Sequence, residues 1–299
     1  MRKRRLFALV ALFASLMLVG AACAEDEPAG GGGDGSPTDG TGEPANLLEQ
    51  IEADGVLRVA TDPKYPPQSS YNEATGTWEG FDIDVATEIA TRLGVDIEWK
   101  TPTWNVLTAG RWSDRWDLSV GSMTITEERA EVLNFSEPYY FTPAGFAVQA
   151  GSDITSIDQL AGKTIGVCGA CTYEFYLNRS LNIPNYEIEY VVPEDVTLKT
   201  YDTDTTAIQD LVLGRIDAAM SAVPTLTGAI DSGSEIELLG EPVFYEPLAA
   251  AADTDASLDS QPFIDRVSEI IEEMHSDGTL TELSNTWYGE DLTTQQAAA

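Results

Sequence analysis

Histidine is almost absent from this chain: His275 is the only one in 299 residues. That removes most imidazole-based acid–base catalysis and any histidine-rich metal site. Cysteine is scarce too, with three residues, and a chain of this length buries its cores without disulfide or metal staples. Basic residues number 16 against 50 acidic ones, a formal charge of −34 at pH 7. A field of that sign repels phosphate backbones and argues against nucleic-acid binding. Beyond residue 22 no apolar run is long enough to span a bilayer. What remains is ordinary core material, 43% hydrophobic and 22% charged, enough for about two domains of roughly 150 residues each.

The N-terminus reads as an address and a tether. Arg2-Lys3-Arg4-Arg5 precedes an apolar run from Leu6 to Ala22 that ends in small residues, the layout of a secretory signal over residues 1–22. Leu18-Val19-Gly20-Ala21-Ala22-Cys23 resembles a bacterial lipoprotein box, with Gly20 where Leu or Val is usual. The resemblance implies lipidation of Cys23; ordinary signal cleavage or an uncleaved anchor is the alternative. Arg4-Arg5-Leu6-Phe7 bears a weak resemblance to a twin-arginine export signal, and either route leads out of the cytoplasm. Residues 23–45 are Gly, Pro, Ser, Thr and acid, a flexible linker spanning roughly 25 Å at ~5–6 Å × √n.

The folded part alternates strands and helices. Val56–Ala60 alternates as a strand, Asn72–Gly80 is a turn or hairpin, and Phe81, Val85, Ile89 and Leu93 form a helical stripe ended by Gly94. Val95–Trp99 and Leu118–Val120 are further strands. The pattern restarts with a short helix at Ser156–Gly162, a strand at Thr164–Val167 and a helix from Tyr173 to Leu177. It continues with a helix at Thr205–Leu213, a strand at Ile216–Met220 and a helix at Ile264–His275. Two α/β lobes with largely parallel sheets follow.

Within this frame Gly80-Phe81-Asp82-Ile83-Asp84-Val85 resembles the signature of the family 3 extracellular solute-binding proteins, receptors for ABC importers of amino acids and similar polar solutes. Asp117 through Thr124-Ile125-Thr126-Glu127-Glu128-Arg129 to Phe135-Ser136-Glu137-Pro138-Tyr139 is similar to the family's central stretch. So are Gly162–Val167, Gly214–Ala218, and Asp277-Gly278-Thr279 with Trp287-Tyr288-Gly289. The blocks run in order over residues 46–292. The resemblance implies a two-lobed periplasmic-binding-protein-like fold of type II with two hinge crossovers, near 142–148 and 241–249. Lobe 1 is then residues 46–142 and 249–299, and lobe 2 residues 148–242. A monomer anchored to the membrane through Cys23, working with a permease and without metal or cofactor, is expected.

The same resemblance assigns residues. Arg129 grips a solute α-carboxylate, as a planar guanidinium fork is suited to do, with a surface ion pair to Glu127, Glu128 or Glu131 as the alternative. Thr124 adds a hydroxyl and an N–H to that carboxylate, and Gly121 and Ser122 face the ammonium. Tyr65 and Trp104 stack on the solute and Asp62 takes a cationic or hydroxyl group. In lobe 2 Ala170-Cys171-Thr172 opens a helix, with Cys171 and Thr172 meeting the carboxylate from the other side. Trp112 and Trp116 read as packing or cation–π partners of the neighbouring arginines. One departure concerns Ala222, where many amino-acid binders carry an Asp for the α-ammonium. Either Asp62 or Asp204 replaces it, or the ligand is a cyclic or N-substituted zwitterion such as an ectoine or a betaine.

Other classes stay in view. Cys168-Gly169-Ala170-Cys171 is a C-x-x-C between a strand and a helix, compatible with redox chemistry but read here as a structural disulfide in an oxidising compartment. The fold also includes small dehydratases acting on prephenate- or arogenate-like substrates, for which Glu174 is the only obvious acid. A sensor domain lacks its signalling segments. Binding of a small zwitterionic solute without chemistry is the expectation.

Overall fold

A computed structural model describes residues 43–294. The signal segment, Cys23 and nearly all of the tether lie outside the described residues. The fold begins with α1 (Leu47–Asp54), capped by Asn46, whose side chain accepts the Glu49 N–H at 3.0 Å, and closed by Gly55 in the left-handed region. Strand β1 (Val56–Ala60) leads to the small sheet β2 (Lys64–Tyr65), β3 (Ser69–Asn72) and β4 (Thr77–Glu79). Helix α2 (Phe81–Leu93) follows Gly80, which has φ +136° and lies so close to Gln68 that a Cβ would sit 2.2 Å from its carbonyl oxygen. Only glycine allows that junction. Next come β5 (Asp96–Lys100), α3 (Trp104–Thr108), β6 (Leu118–Thr124), α4 (Glu127–Ala130) and the long strand β7 (Leu133–Gln149).

The remainder comprises a 3₁₀ turn at Ile157–Leu160, β8 (Thr164–Cys168), α5 (Thr172–Leu177), β9 (Thr197–Tyr201) and α6 (Asp204–Val212). It ends with β10 (Ala218–Ala222), α7 (Val223–Asp231), β11 (Ile236–Asp253), α8 (Gln261–Ser276) and α9 (Thr279–Tyr288). One mixed sheet runs in the order β5-β1-β6-β11-β7-β10-β8-β9. Its outer strands pair in parallel on both sides, while β7 and β11 are antiparallel to each other and to their other neighbours.

Two bodies of buried side chains flank those central strands. The first gathers Leu57, Phe81, Ile89, Val120, Tyr139, Tyr140, Leu248 and the apolar face of α8. The second gathers Ala144, Phe146, Val167, Tyr176, Met220 and Phe244. Between Tyr140 and Ala144 on β7, and between Phe244 and Leu248 on β11, the chain passes from one body to the other. There Tyr245 pairs with Pro143 and Glu246 with Thr142. Prolines are normally confined to sheet edges or bulges because they lack an N–H. Here Pro143 and Pro247 lie in a regular run, Phe244–Leu248 against Tyr140–Ala144, that register shifts bound on both sides, and Pro138 stands at one of those shifts.

Candidate functional site

One wall of the cavity between the two bodies is the turn at Ala170, whose neighbours Cys168, Cys171 and Thr172 line it. Ala170 has φ +58° and is bracketed by Cys168 and Cys171, which are joined as a disulfide with Cα atoms 5.6 Å apart. Its N–H donates to the Glu174 carboxylate at 2.6 Å, which helps hold a backbone conformation that L-residues disfavour. Its carbonyl faces the other body and accepts two bonds, from Trp104 Nε1 at 3.2 Å and from Arg129 Nη2 at 2.9 Å. Arg129 reaches this point because α4 is a single turn, started by the Thr126 hydroxyl accepting the Arg129 N–H at 3.2 Å.

Arg129 is 3% exposed. Its guanidinium donates to carbonyls, Nη1 to Thr124 at 2.9 Å and Nη2 to Ala170, rather than to Glu127, Glu128 or Glu131. Nε is buried without a partner. The guanidinium carbon lies 5.4 Å from the centroid of the Trp104 ring and 5.9 Å from that of Phe175. Burial pulls Arg129 down to about 10, opposed first by the negative charge of Glu246.

Glu246 is the residue that sequence reading missed. It lies on β11 in the passage between the two bodies, 2% exposed. Oε1 accepts the hydroxyls of Thr124, at 2.7 Å, and Thr172, while Oε2 accepts the Tyr173 hydroxyl at 2.9 Å. One carboxylate thus binds groups from both bodies. Burial pushes Glu246 up, and these three hydroxyls and Arg129 pull it back. The signal available in the sequence was a single acid between Phe244-Tyr245 and the apolar run Leu248–Ala252.

Two more carboxylates face the same space. Asp204, at the start of α6, is 7% exposed and accepts the Ser221 hydroxyl at 2.5 Å. Burial raises it to about 7, with the charges of Asp62 and Glu246 adding to the shift. Asp62 accepts the Lys64 N–H at 2.7 Å and is likewise raised by burial. Ala222 is 1% exposed, and the neighbouring Ser221 bond brings Asp204 to this place.

Every residue expected to touch a solute borders one cavity: Asp62, Tyr65, Trp104, Gly121, Ser122, Thr124, Arg129, Cys171 and Thr172, with Asp204 and Glu246. Two of them do something other than expected. The Ser122 hydroxyl donates to Asp82 at 2.7 Å and contacts the Tyr140 hydroxyl, and its N–H donates to the Tyr139 oxygen at 3.0 Å. It is therefore engaged inside the first body rather than turned to an ammonium. The Thr124 hydroxyl goes to Glu246. Trp112 and Trp116 pack together in a buried cluster with Arg115 4.6 Å above the Trp116 ring. His275 bonds the Pro138 carbonyl at 2.9 Å and takes no part in the cavity.

Residues 57–290 match the family described as bacterial extracellular solute-binding proteins, family 3. The chain is 30% identical over 249 residues to the probable amino-acid-binding protein YxeM of Bacillus subtilis, covering 82% of this chain and 88% of that one. It is also 30% identical over 250 residues to the L-cystine-binding protein TcyJ of Escherichia coli, covering 83% and 88%. Among solved structures, an ancestral arginine-binding protein bound to arginine superposes with a TM-score of 0.69 at 29% identity, covering 79% of this chain and 99% of that one. An ancestral amino acid-binding protein described as a precursor of cyclohexadienyl dehydratase gives 0.69 at 26%, covering 81% and 99%. The architecture is the two-lobed type II periplasmic-binding-protein fold.

Proposed function

The chain belongs to the bacterial extracellular solute-binding proteins, family 3, and we propose that it captures an amino acid or a closely related amine outside the cytoplasm and delivers it to the permease of an ABC importer. Lobe 1 is residues 46–142 and 249–299 and lobe 2 residues 148–242; they close over the solute by bending of β7 and β11 where these strands pass between the cores. The protein is a monomer held at the membrane by lipidated Cys23, and no helix among the described residues is long and apolar enough to cross the membrane itself. It binds and releases without chemistry. Against a dehydratase, Glu174 is turned to the Ala170 N–H.

The observation that carries this reading is the Ala170 carbonyl, which draws Trp104 and Arg129 of the opposite lobe onto the lobe-2 turn and so makes both lobes walls of one cavity. A thermal-shift screen against amino acids, small amines, ectoines, betaines and sugars tests it. A solute at 100 times its Kd adds about 2.7 kcal/mol, a rise of roughly 5–10 °C for a chain of this size. The shift is expected with an amine-bearing solute and is expected to disappear in Trp104→Ala. No shift with any of them, in protein that unfolds cooperatively, overturns the reading.

The disulfide has a consequence for affinity. It constrains the turn whose carbonyl joins the lobes, at a residue held in a disfavoured backbone region. Reduction, or Cys168→Ser with Cys171→Ser, is expected to weaken solute binding about tenfold, equivalent to about 1.4 kcal/mol. Titration calorimetry with and without reductant reads this. Unchanged affinity would show that the turn keeps its shape without the bond.

A further inference from the structure

The polar groups of the cavity are unevenly occupied. A solute carboxylate docking here would need the Thr124, Thr172 and Tyr173 hydroxyls and two parallel N–H groups of Arg129. All three hydroxyls already donate to Glu246, and both Nη atoms of Arg129 already donate to carbonyls. Of its five N–H groups Arg129 keeps three, one of them on the buried, unpartnered Nε, so the engaged hydroxyls rather than the guanidinium count against a solute carboxylate. Acceptors, by contrast, are in surplus. Asp62, Asp202, Asp204 and Glu246 face one cavity in which Arg129 is the cation, and Tyr65 and Trp104 supply aromatic walls. With four carboxylates and one guanidinium on its lining, the site lacks positive charge, and burying unpaired charge is costly. An amino acid would bring a fifth carboxylate together with its ammonium and leave that excess unchanged; an organic cation without a carboxylate would reduce it.

We propose that the solute is a small organic amine without a free carboxylate, the decarboxylated counterpart of an amino acid. Its ammonium is held by Asp204 and Asp62 against Tyr65 and Trp104, while Glu246 stands permanently where a solute carboxylate would otherwise lie. Glu246 is then a specificity-determining residue: it satisfies the hydroxyls of both lobes from within the chain and rejects carboxylates by charge. Asp204 and Asp62 do for this ammonium what the acid absent at Ala222 would have done. This inference rests on the solute-receptor reading of the cavity.

Matched pairs test it by titration calorimetry on the full chain: putrescine with ornithine, agmatine with arginine, histamine with histidine, and tyramine with tyrosine. In at least one pair the amine is expected to bind tenfold or more tighter than its amino acid. Asp204→Asn is expected to weaken that amine at least tenfold. Glu246→Gln, which removes the internal carboxylate and keeps the hydrogen-bonding shape, is expected to improve the parent amino acid at least tenfold. If the amino acid binds more tightly than the amine in every pair that binds, the inference is overturned and the receptor reading stands. If neither series binds to folded wild-type protein, the inference falls, and the wider thermal-shift screen decides the receptor reading separately.

Discussion

Replacing Arg129 with methionine is expected to lower the unfolding free energy by about 3 kcal/mol at pH 8. The size combines the loss of a positive charge that offsets buried Glu246 through space with the loss of charged-donor hydrogen bonds worth about 1.5–3 kcal/mol each. Arg129 and Glu246 are 3% and 2% exposed, so water screens neither group. The substitution also leaves the Thr124 carbonyl without the bond it accepts at 2.9 Å and removes one of two donors from the Ala170 carbonyl. Two controls separate charge from packing. Burial already raises the Glu246 carboxyl, and removing Arg129 raises it further, so the loss at pH 8 should exceed the loss in acid, where Glu246 takes up a proton. Adding Glu246→Gln to Arg129→Met should recover at least half of the loss, because no buried charge is then left alone. Urea denaturation of the two single variants and the double variant gives the coupling directly. A loss that is equal at both pH values and unaffected by Glu246→Gln would show that Arg129 acts only through its two carbonyl bonds.

The elements most legible in the sequence were those whose pattern is local. The stripe Phe81, Val85, Ile89, Leu93 ending at Gly94 gives α2 residue for residue, because one face of the helix meets the core and the glycine takes the left-handed position that ends it. Helix α8 extends only a few residues beyond the expected Ile264–His275. Helix α7 was missed: Val223–Asp231 contains Thr225, Thr227 and Gly228, weak helix formers, and is fixed by packing on β7, β10 and β11 rather than by propensity. Strand β10 lies two residues later than expected. Asp217 marks the boundary that the expected start at Ile216 overran, and the pairing of Ala218 with Val148 sets where the ladder starts. The long strands β7 and β11 were hidden by Pro138, Pro143 and Pro247, which argue locally against a central strand.

The site divides in the same way. Arg129, Trp104, Tyr65 and Thr172 stood out because they sit in recognisable runs, and all of them border the cavity. Glu246 could not be placed from its neighbours. Its partners Thr124, Thr172 and Tyr173 are 122, 74 and 73 residues away, and only the folded chain brings them to one carboxylate. Ser122 shows the converse. Its motif pointed to the solute, but a tertiary contact with Asp82 and the Tyr139 and Tyr140 hydroxyls claims its polar atoms.

Asp82→Asn is expected to stabilise the protein at pH 8 by about 2–4 kcal/mol, a rise of roughly 5–10 °C in Tm. Asp82 is completely buried beneath the cavity floor, where Oδ1 accepts the Tyr139 hydroxyl and Oδ2 the Ser122 hydroxyl, both at 2.7 Å. Burial outweighs those two bonds and raises the carboxyl to about 7. In the unfolded chain it returns to about 3.9, so between roughly pH 4 and pH 7 the folded state holds a proton that the unfolded state has released. Stability from this group is therefore fully present below about pH 4 and is lost as pH rises through about 7. A shift of about three units corresponds to about 4 kcal/mol. Asparagine keeps the shape, accepts from Tyr139 through its oxygen and donates to Ser122 through its nitrogen, as the protonated acid does. The gain over wild type should be near zero at pH 4, grow through pH 6 and level off above pH 7. The wild-type curve also contains Asp204 and the mutual repulsion of a chain of formal charge −34, but both contributions are common to the two proteins and cancel in their difference. A difference that stays flat between pH 4 and pH 8, measured by urea denaturation, would mean that the tyrosine and serine hydroxyls hold Asp82 ionised at no cost.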